Sequence, residues 1–191
     1  MDARECLLTR RSVRKYKSDP VPDEVLERVL ECAAAAPSAI NLQHWHFVVL
    51  RSPEAMARLR EIMVRVTEKF RPVLKDRFAS HPETVKETES FLVKLGGAPV
   101  CVLVYFLKDG YPDRDGAMQS VSAAIENLLL GAWTEGLGTC WMSAPQRMGF
   151  GGELREAFAP DKGEFVAAVS LGWPDQSPKM PPRREGRVSW L

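Results

Sequence analysis

The sequence predicts an α+β fold, in which single strands are scattered among helices without a regular strand–helix–strand alternation. Residues 100–107 are apolar at nearly every position, which is typical of a strand buried on both faces. Residues 121–133 are apolar nearly all round, which predicts the most buried helix of the fold. Shorter strands are predicted at 46–50, 139–142 and 164–171. This order favours an α+β layout over a doubly wound parallel sheet.

Two helices are predicted before the first strand. The first covers residues 2–10 with Asp2 as its N-cap. The second follows a loop at 18–23, runs to about residue 36 and is ended by Pro37. Its apolar side chains share one face, as expected of a helix that packs on a core: Val25, Leu26, Val29, Leu30 and Ala33.

Helical patterns also dominate the centre of the chain. Ser52 and Pro53 are suited to the N-cap and the first position of a helix. The pattern stays helical from 61 to 95, and we expect interruptions at Pro72 and at the turn 80–82.

The C-terminal half is predicted to open with a turn at 109–112. The apolar helix should then span 114–135 and stop at Gly136. A small helix is expected within 149–158, and the Pro- and Arg-rich segment 173–187 should be extended.

Composition narrows the classes of function. The chain has 191 residues, which favours one domain over residues 1–191. Its 26 basic and 25 acidic residues leave a net charge of +1, so no broad positive field is available for nucleic acid. We expect no signal peptide, and the longest apolar stretch, 98–107, is too short to span a bilayer.

The four cysteines are dispersed and have no zinc-site spacing. Cys32 and Cys101 lie in apolar surroundings and are predicted to be core thiols of a reduced, cytoplasmic protein. Cys140 has no evident base nearby, so we interpret it as a packed thiol rather than a nucleophile.

A basic cluster stands out near the N-terminus. Five of the eight residues from 10 to 17 are basic, namely Arg10, Arg11, Arg14, Lys15 and Lys17. Such close like charges repel one another, so water or a bound anion must compensate them. The guanidinium groups of the arginines, with the Ser12 hydroxyl among them, are suited to bind a phosphate. Arg183 and Arg184 form a second basic group, and one anion site results if the two chain ends meet. The alternative is a solvated, charged helix end.

A second motif, at 36–47, reads Ala-Pro-Ser-Ala-Ile-Asn-Leu-Gln-His-Trp-His-Phe. The side-chain amides of Asn41 and Gln43 each offer a hydrogen-bond donor and acceptor, which could bond to the polar edge of a flat heterocycle. The alternative is a simple Asx-type turn. His44 and His46 would point to opposite faces of a strand, so we expect no metal site there.

A third motif, at 136–143, reads Gly-Leu-Gly-Thr-Cys-Trp-Met-Ser. It is not a dinucleotide-binding fingerprint, because the glycines follow a helix and the third glycine is missing. Gly138 and Ser143 would allow backbone amides to approach a ligand closely.

Together these motifs resemble the nitroreductase family of FMN-dependent oxidoreductases, over essentially the whole chain. The family's Arg-Arg-Ser-x-Arg motif is matched at 10–14. Its Ala-Pro-Ser-x-x-Asn-x-Gln-x-Trp-x-Phe segment is matched at 36–47, and its Gly-Leu-Gly turn with the following strand at 136–143. The basic pair 183–184 ahead of Trp190 matches a late feature of the family.

The resemblance implies a bound FMN and its contacts. The first motif would hold the phosphate, and Arg183 or Arg184, a choice left open, would complete the cage. The second motif would lie over the flavin of the partner subunit, and the backbone of 141–143 would face the reactive flavin nitrogen N5. The expected FMN contacts are Arg10, Arg11, Ser12, Arg14, Pro37, Ser38, Ala39, Asn41, Gln43, Trp141, Met142, Ser143, Arg183 and Arg184.

The resemblance also implies an activity and an assembly. NADH or NADPH would reduce the flavin at N5, and a nitroaromatic, quinone or similar acceptor would reoxidise it in a ping-pong cycle without a catalytic side chain. The expected form is a homodimer with FMN at the interface, a mostly antiparallel sheet flanked by helices, and an exchanged C-terminus. Dehalogenation, flavin destruction, oxidation of peptide heterocycles and a non-enzymatic anion- or nucleic-acid-binding module remain alternatives.

Two positions depart from the family pattern. His44 stands where many members have proline. Some members bind the flavin through an asparagine of the middle region, but residues 51–117 contain no asparagine.

Overall fold

A nearly all-apolar central strand divides the core of the protein into two layers. A computed structural model describes residues 1–108 and 112–191. In these ranges the sheet has four antiparallel strands in the order β1-β2-β4-β3: β1 (Trp45–Leu50), β2 (Val100–Phe106), β3 (Gly138–Met142) and β4 (Glu164–Gly172). The helices are α1 (Ala3–Thr9), α2 (Asp23–Ala34), α3 (Pro53–Arg77), α4 (Pro82–Lys94), α5 (Arg114–Thr134), α6 (Ala144–Arg147) and α7 (Gly151–Phe158).

The alternation of β2 assigns its side chains to the two layers. Cys101, Leu103 and Tyr105 pack with α3, α4 and α7 on one face. Val102 and Val104 pack with α2 and α5 on the other face. Every residue of β2 is buried, as predicted for a strand covered on both faces. The predicted α+β class, with an antiparallel sheet flanked by helices, is confirmed.

The predicted helix starts and stops follow local hydrogen bonding. The Asp2 carboxylate accepts a bond from Glu5 N at 2.8 Å, and the Ser52 hydroxyl accepts one from Ala55 N at 3.1 Å. Helix α5 ends before Gly136, whose φ of +78° is the left-handed conformation that glycine tolerates. Between residues 120 and 133, α5 has no exposed residue, as its apolar sequence predicted.

The predicted interruption at Pro72 is wrong. Helix α3 continues through Pro72 to Arg77, and the break falls at 78–81, before Pro82 begins α4. Buried side chains lie on both sides of Pro72, with Val66 and Thr67 before it and Leu74 after it. This packing outweighs the one hydrogen bond that the proline nitrogen cannot donate.

The prediction that Cys32 is a core thiol is also wrong, whereas Cys101 is buried as expected. Burial raises the pKa of the Cys101 thiol to about 12. Cys32 is exposed because it lies at the margin of the apolar face of α2. A Cβ added at Gly131 would lie only 2.7 Å from the Cβ of Cys32, so the glycine at this position lets α2 approach α5 closely.

Three short features had no clear sequence signal. Helix α6 is a single turn, and 3₁₀ turns lie at Ala39–Asn41 and Leu95–Gly97. The turn predicted at 109–112 falls mostly on residues 109–111, which are outside the described ranges. None of the helices in the described ranges is long and apolar enough to cross a membrane.

The segment after α1 runs along the outer edge of β3. Ser12 forms a parallel bridge with Thr139, and Val13 N donates to Thr139 O at 2.8 Å. A Cβ at Gly138 would lie 2.7 Å from Val13 Cβ, so glycine is required for this approach. Further along, Tyr16 bridges Pro174, and the Tyr16 hydroxyl donates to Val13 O at 2.6 Å.

Gly138→Ala should lower the free energy of unfolding by about 1–3 kcal/mol, because the added methyl overlaps Val13. Equilibrium urea unfolding measures this. The matched control is Gly152→Ala, whose new Cβ meets no atom within 4 Å and which should be neutral or slightly stabilising. Equal unfolding free energies for Gly138→Ala and the unsubstituted protein would contradict the tight contact.

Candidate functional site

The first and third sequence motifs lie side by side, although more than 120 residues separate them along the chain. Thr139 O points to the outer edge of β3, where it accepts the bond from Val13 N. Successive residues of a strand direct their backbone groups to opposite edges, so the Trp141 N–H and C=O face the same outer edge. No hydrogen bond within the described chain occupies them. The site therefore includes an open strand edge beside the basic cluster.

Arg10 projects from the end of α1 toward α5. Its Nη2 lies 3.1 Å from Glu126 Oε1. The Arg10 Nε atom is buried, and no acceptor within the described residues bonds to it. A buried N–H without an acceptor is rare in proteins, so this donor is suited to an acceptor from a ligand.

Arg11 has a structural contact of its own. Its Nη1 donates to Leu8 O at 2.8 Å and to Arg10 O at 2.6 Å. It therefore satisfies carbonyl groups at the C-terminal end of α1, as basic side chains often do.

Arg14 lies on the other side of the segment, toward α4. Its guanidinium is 6.0 Å from the centre of the Phe91 ring, a cation–π arrangement. It also lies against Cys140. Burial raises the pKa of the Cys140 thiol, and the nearby Arg14 charge offsets part of that rise. The net shift is upward, so Cys140 stays protonated near neutral pH and fits the predicted packed thiol.

The second motif forms a strained, exposed loop at the N-terminal half of α5. Three of its residues have left-handed backbone conformations, with φ of 43° at Ile40, 59° at Asn41 and 51° at Gln43. Ala39 N donates to Ser120 Oγ at 3.1 Å, which joins the loop to α5. Ile40 is nonetheless 76% exposed.

The polar side chains of this loop bond within it. Gln43 N donates to Ser38 Oγ at 3.1 Å, and Gln43 Nε2 donates to Asn41 Oδ1 at 3.2 Å. Asn41 and Gln43 are both exposed, as is Pro37. Their remaining donors and acceptors face away from the chain's own core.

His44 follows this loop and is completely buried, so it does not reach the protein surface. Its ring meets the Phe106 ring edge-on with centres 5.8 Å apart. Among the described residues, no group of three or more His, Cys, Asp and Glu side chains is placed to hold a metal ion.

Among the described residues, no hydrogen bond or ion pair joins the second basic group to the first. Asp175 N donates to Lys15 O at 2.9 Å, and this is the last backbone bond of the C-terminal segment in the described ranges. Residues 179–191 are all exposed. Arg183 and Arg184 lie in this tail, with no ion pair to any of the described residues.

Two contributors to the site had not been singled out from the sequence. Glu126 is the only charged residue between 121 and 133, a signal that could have marked it. Phe91 gave no such signal, because its contact with Arg14 depends on where α4 packs in the fold.

Known proteins resemble this chain over most of its length. The profile of the nitroreductase family matches residues 7–173. The Bacillus subtilis protein YfhC, named as an NAD(P)H nitroreductase, is 31% identical over 182 residues, which are 94% of this chain and 88% of YfhC.

Solved structures share the fold over their full length. A BluB-like flavoprotein from Clostridium difficile is 26% identical with a TM-score of 0.78, covering 100% of this chain and 99% of that one. A Bacteroides fragilis nitroreductase with bound FMN is 24% identical with a TM-score of 0.75, covering 100% of both chains. The family profile spans both the basic cluster and the strand that it pairs with, and the chain belongs to the nitroreductase family.

Proposed function

We propose that this protein is an FMN-dependent oxidoreductase that uses NADH or NADPH to reduce small acceptors. The observation that carries the proposal is the pairing of the basic cluster with the open edge of β3. This pairing puts basic side chains next to the Trp141 N–H, which bonds to no other group of the described residues. The FMN-bound relative and the relative named as an NAD(P)H nitroreductase support the same reading.

The residues fit the two ends of FMN. Arg10 and Ser12 would bind the phosphate, and the unpartnered Arg10 Nε is one donor for it. Arg11 would support them through the end of α1. Arg14 would add a fixed positive charge between β3 and α4, and Arg183 or Arg184 would reach the phosphate from the exposed tail.

The backbone of Trp141, Met142 and Ser143 would face the isoalloxazine. The Trp141 N–H on the open edge is free to donate a hydrogen bond to it. When bound, FMN supplies the redox chemistry, taking a hydride at N5 from NAD(P)H and passing electrons on to the acceptor in a second half-reaction. The chain's own part is to hold, orient and cover the flavin, so no side-chain nucleophile is needed.

We further propose a homodimer in which each subunit completes its partner's site. The second motif presents Pro37, Ser38, Ala39, Asn41 and Gln43 on an exposed loop, where they would cover the partner's flavin. Exposed apolar side chains lie on this loop, on α1 and on the tail: Leu7, Leu8, Ile40, Leu42, Met180, Val188, Trp190 and Leu191. Their burial against a second subunit would favour association and exchange of the C-terminal tail.

The proposed acceptors are nitroaromatics, quinones or similar flat compounds that can stack on the flavin. The four free cysteines suit a reducing, cytoplasmic setting.

Purified protein incubated with FMN should become yellow and show ping-pong kinetics. Anaerobic stopped-flow mixing with NADH or NADPH should bleach the flavin absorbance, and a quinone or nitroaromatic should restore it fully. Parallel double-reciprocal plots are expected. A colourless protein that takes up no FMN would contradict the proposal, and incomplete return of the flavin bands would instead indicate flavin destruction.

Arg14→Ala should weaken FMN binding by about tenfold or more, since the lost group is charged and held beside β3. Quenching of FMN fluorescence on titration measures the dissociation constant. Lys17→Ala is the matched control, because Lys17 is also an exposed charge of this cluster but its side chain contacts neither an aromatic ring nor Cys140 in the described residues. Unchanged flavin occupancy in Arg14→Ala would refute the assignment of this residue.

Removal of residues 179–191, which are exposed in the single chain, should weaken both the dimer and FMN binding. Sedimentation equilibrium should find dimers of the full chain at micromolar concentration and a shift to monomers after truncation. Thermal unfolding followed by circular dichroism checks that the shortened chain still folds. A full-length monomer saturated with FMN would exclude shared sites.

A further inference from the structure

We propose that Glu126 is a positioning residue for the cofactor phosphate, because it fixes the orientation of the Arg10 guanidinium. This inference rests on the FMN binding proposed above. Glu126 would not touch the cofactor. It would hold one end of the Arg10 fork so that Nε and the remaining N–H groups face the phosphate.

The position of Glu126 is unusual for a charged residue. It is the only charge within the apolar part of α5, the most enclosed helix of the fold. Its side chain is 39% exposed and that of Arg10 is 24% exposed, and the two approach to 3.1 Å. Although the Glu126 carboxylate is partly exposed, Arg10 is the ion-pair partner that it has among the described residues.

The backbones that carry the two residues are firmly joined. The Trp133 Nε1 atom donates to Thr9 Oγ1 at 3.0 Å, and Cys6 Sγ donates to Leu130 O at 3.5 Å, so two bonds tie α1 to α5 on the C-terminal side of Glu126. Arg10 N also donates to Cys6 O at 3.0 Å. The ion pair therefore connects two fixed elements and can set the plane of the guanidinium before the cofactor arrives.

The donors of Arg10 divide into two sets. Nη2 contacts Glu126, whereas Nε is buried and has no acceptor among the described residues. A guanidinium has five N–H donors in a rigid plane, so fixing one end fixes the direction of the rest. Phosphate oxygens would satisfy the unmet Nε donor.

The Glu126 carboxylate would also repel a phosphate. This repulsion would weaken FMN binding, whereas the orientation of Arg10 would strengthen it. Water screens the repulsion because Glu126 is partly exposed. The direct contact of Glu126 with Arg10 at 3.1 Å is screened less than a repulsion that acts over a longer distance. We therefore infer that positioning dominates.

The test compares Glu126→Ala with Glu126→Gln, using FMN and riboflavin, which lacks the phosphate, as probes. Glu126→Ala should raise the dissociation constant of FMN about tenfold and leave that of riboflavin unchanged. Glu126→Gln keeps an oxygen acceptor for Nη2 and should stay within about threefold of the unsubstituted protein. Glu135→Ala, which breaks the 2.7 Å pair with Arg28 at the end of the same helix, is the matched control and should change neither constant.

An Arg10→Ala background completes the design, because Glu126→Ala should have no further effect on FMN binding there. Tighter FMN binding in both Glu126 variants would overturn the proposal in favour of simple repulsion. Equal losses for FMN and riboflavin would overturn it in favour of a purely structural role. Failure of the unsubstituted protein to bind FMN would instead refute the proposed function.

Discussion

The close approach of Val13 to Gly138 is the constraint on which the site depends. Residue 138 can carry no side chain, because a Cβ there would overlap Val13. This approach allows Val13 N to bond to Thr139 O and covers the first part of the β3 edge. The rest of that edge, at Trp141, is left open. One backbone pairing thus brings the basic cluster to the strand and also determines which amides stay available.

Helix α5 links this edge to the other parts of the site. Its apolar sides pack against α2 and the sheet, which makes it a rigid axis. Ser120 accepts a bond from the loop of the second motif, and Glu126 pairs with Arg10 about 1.7 turns later. Ser120 is buried, where a polar group without a partner is costly, whereas Glu126 is partly exposed. Both of these have a partner from a predicted cofactor-binding motif.

Local signals predicted most of the fold, and tertiary packing decided the rest. Some features depend only on residues that are neighbours in sequence, so hydrophobic pattern and local propensity sufficed to predict them. These are the all-apolar strand β2, the helix caps at Asp2 and Ser52, and the end of α5 before Gly136. Pro72 and Cys32 were misjudged because their outcome depends on which helix packs opposite them.

Sequence patterns predicted the candidate site in part, for the same reason. Motif spacing predicted that residues 10–14 and 136–143 act together, but it carried no information on the partner of Arg10 or on the ring beneath Arg14.

The strained loop of the second motif supports the proposal that a second subunit completes the site. A left-handed conformation costs a β-branched residue such as Ile40 about 1–2 kcal/mol, and Asn41 and Gln43 share this conformation. Within the chain only a few hydrogen bonds hold the loop, and Ile40 remains exposed. Such strain persists when surrounding structure determines it. Because the loop turns apolar and amide groups outward, a second subunit that closes over it would supply the missing contacts. The same reasoning applies to the exposed arginine-bearing tail, so both features support a site completed across a dimer.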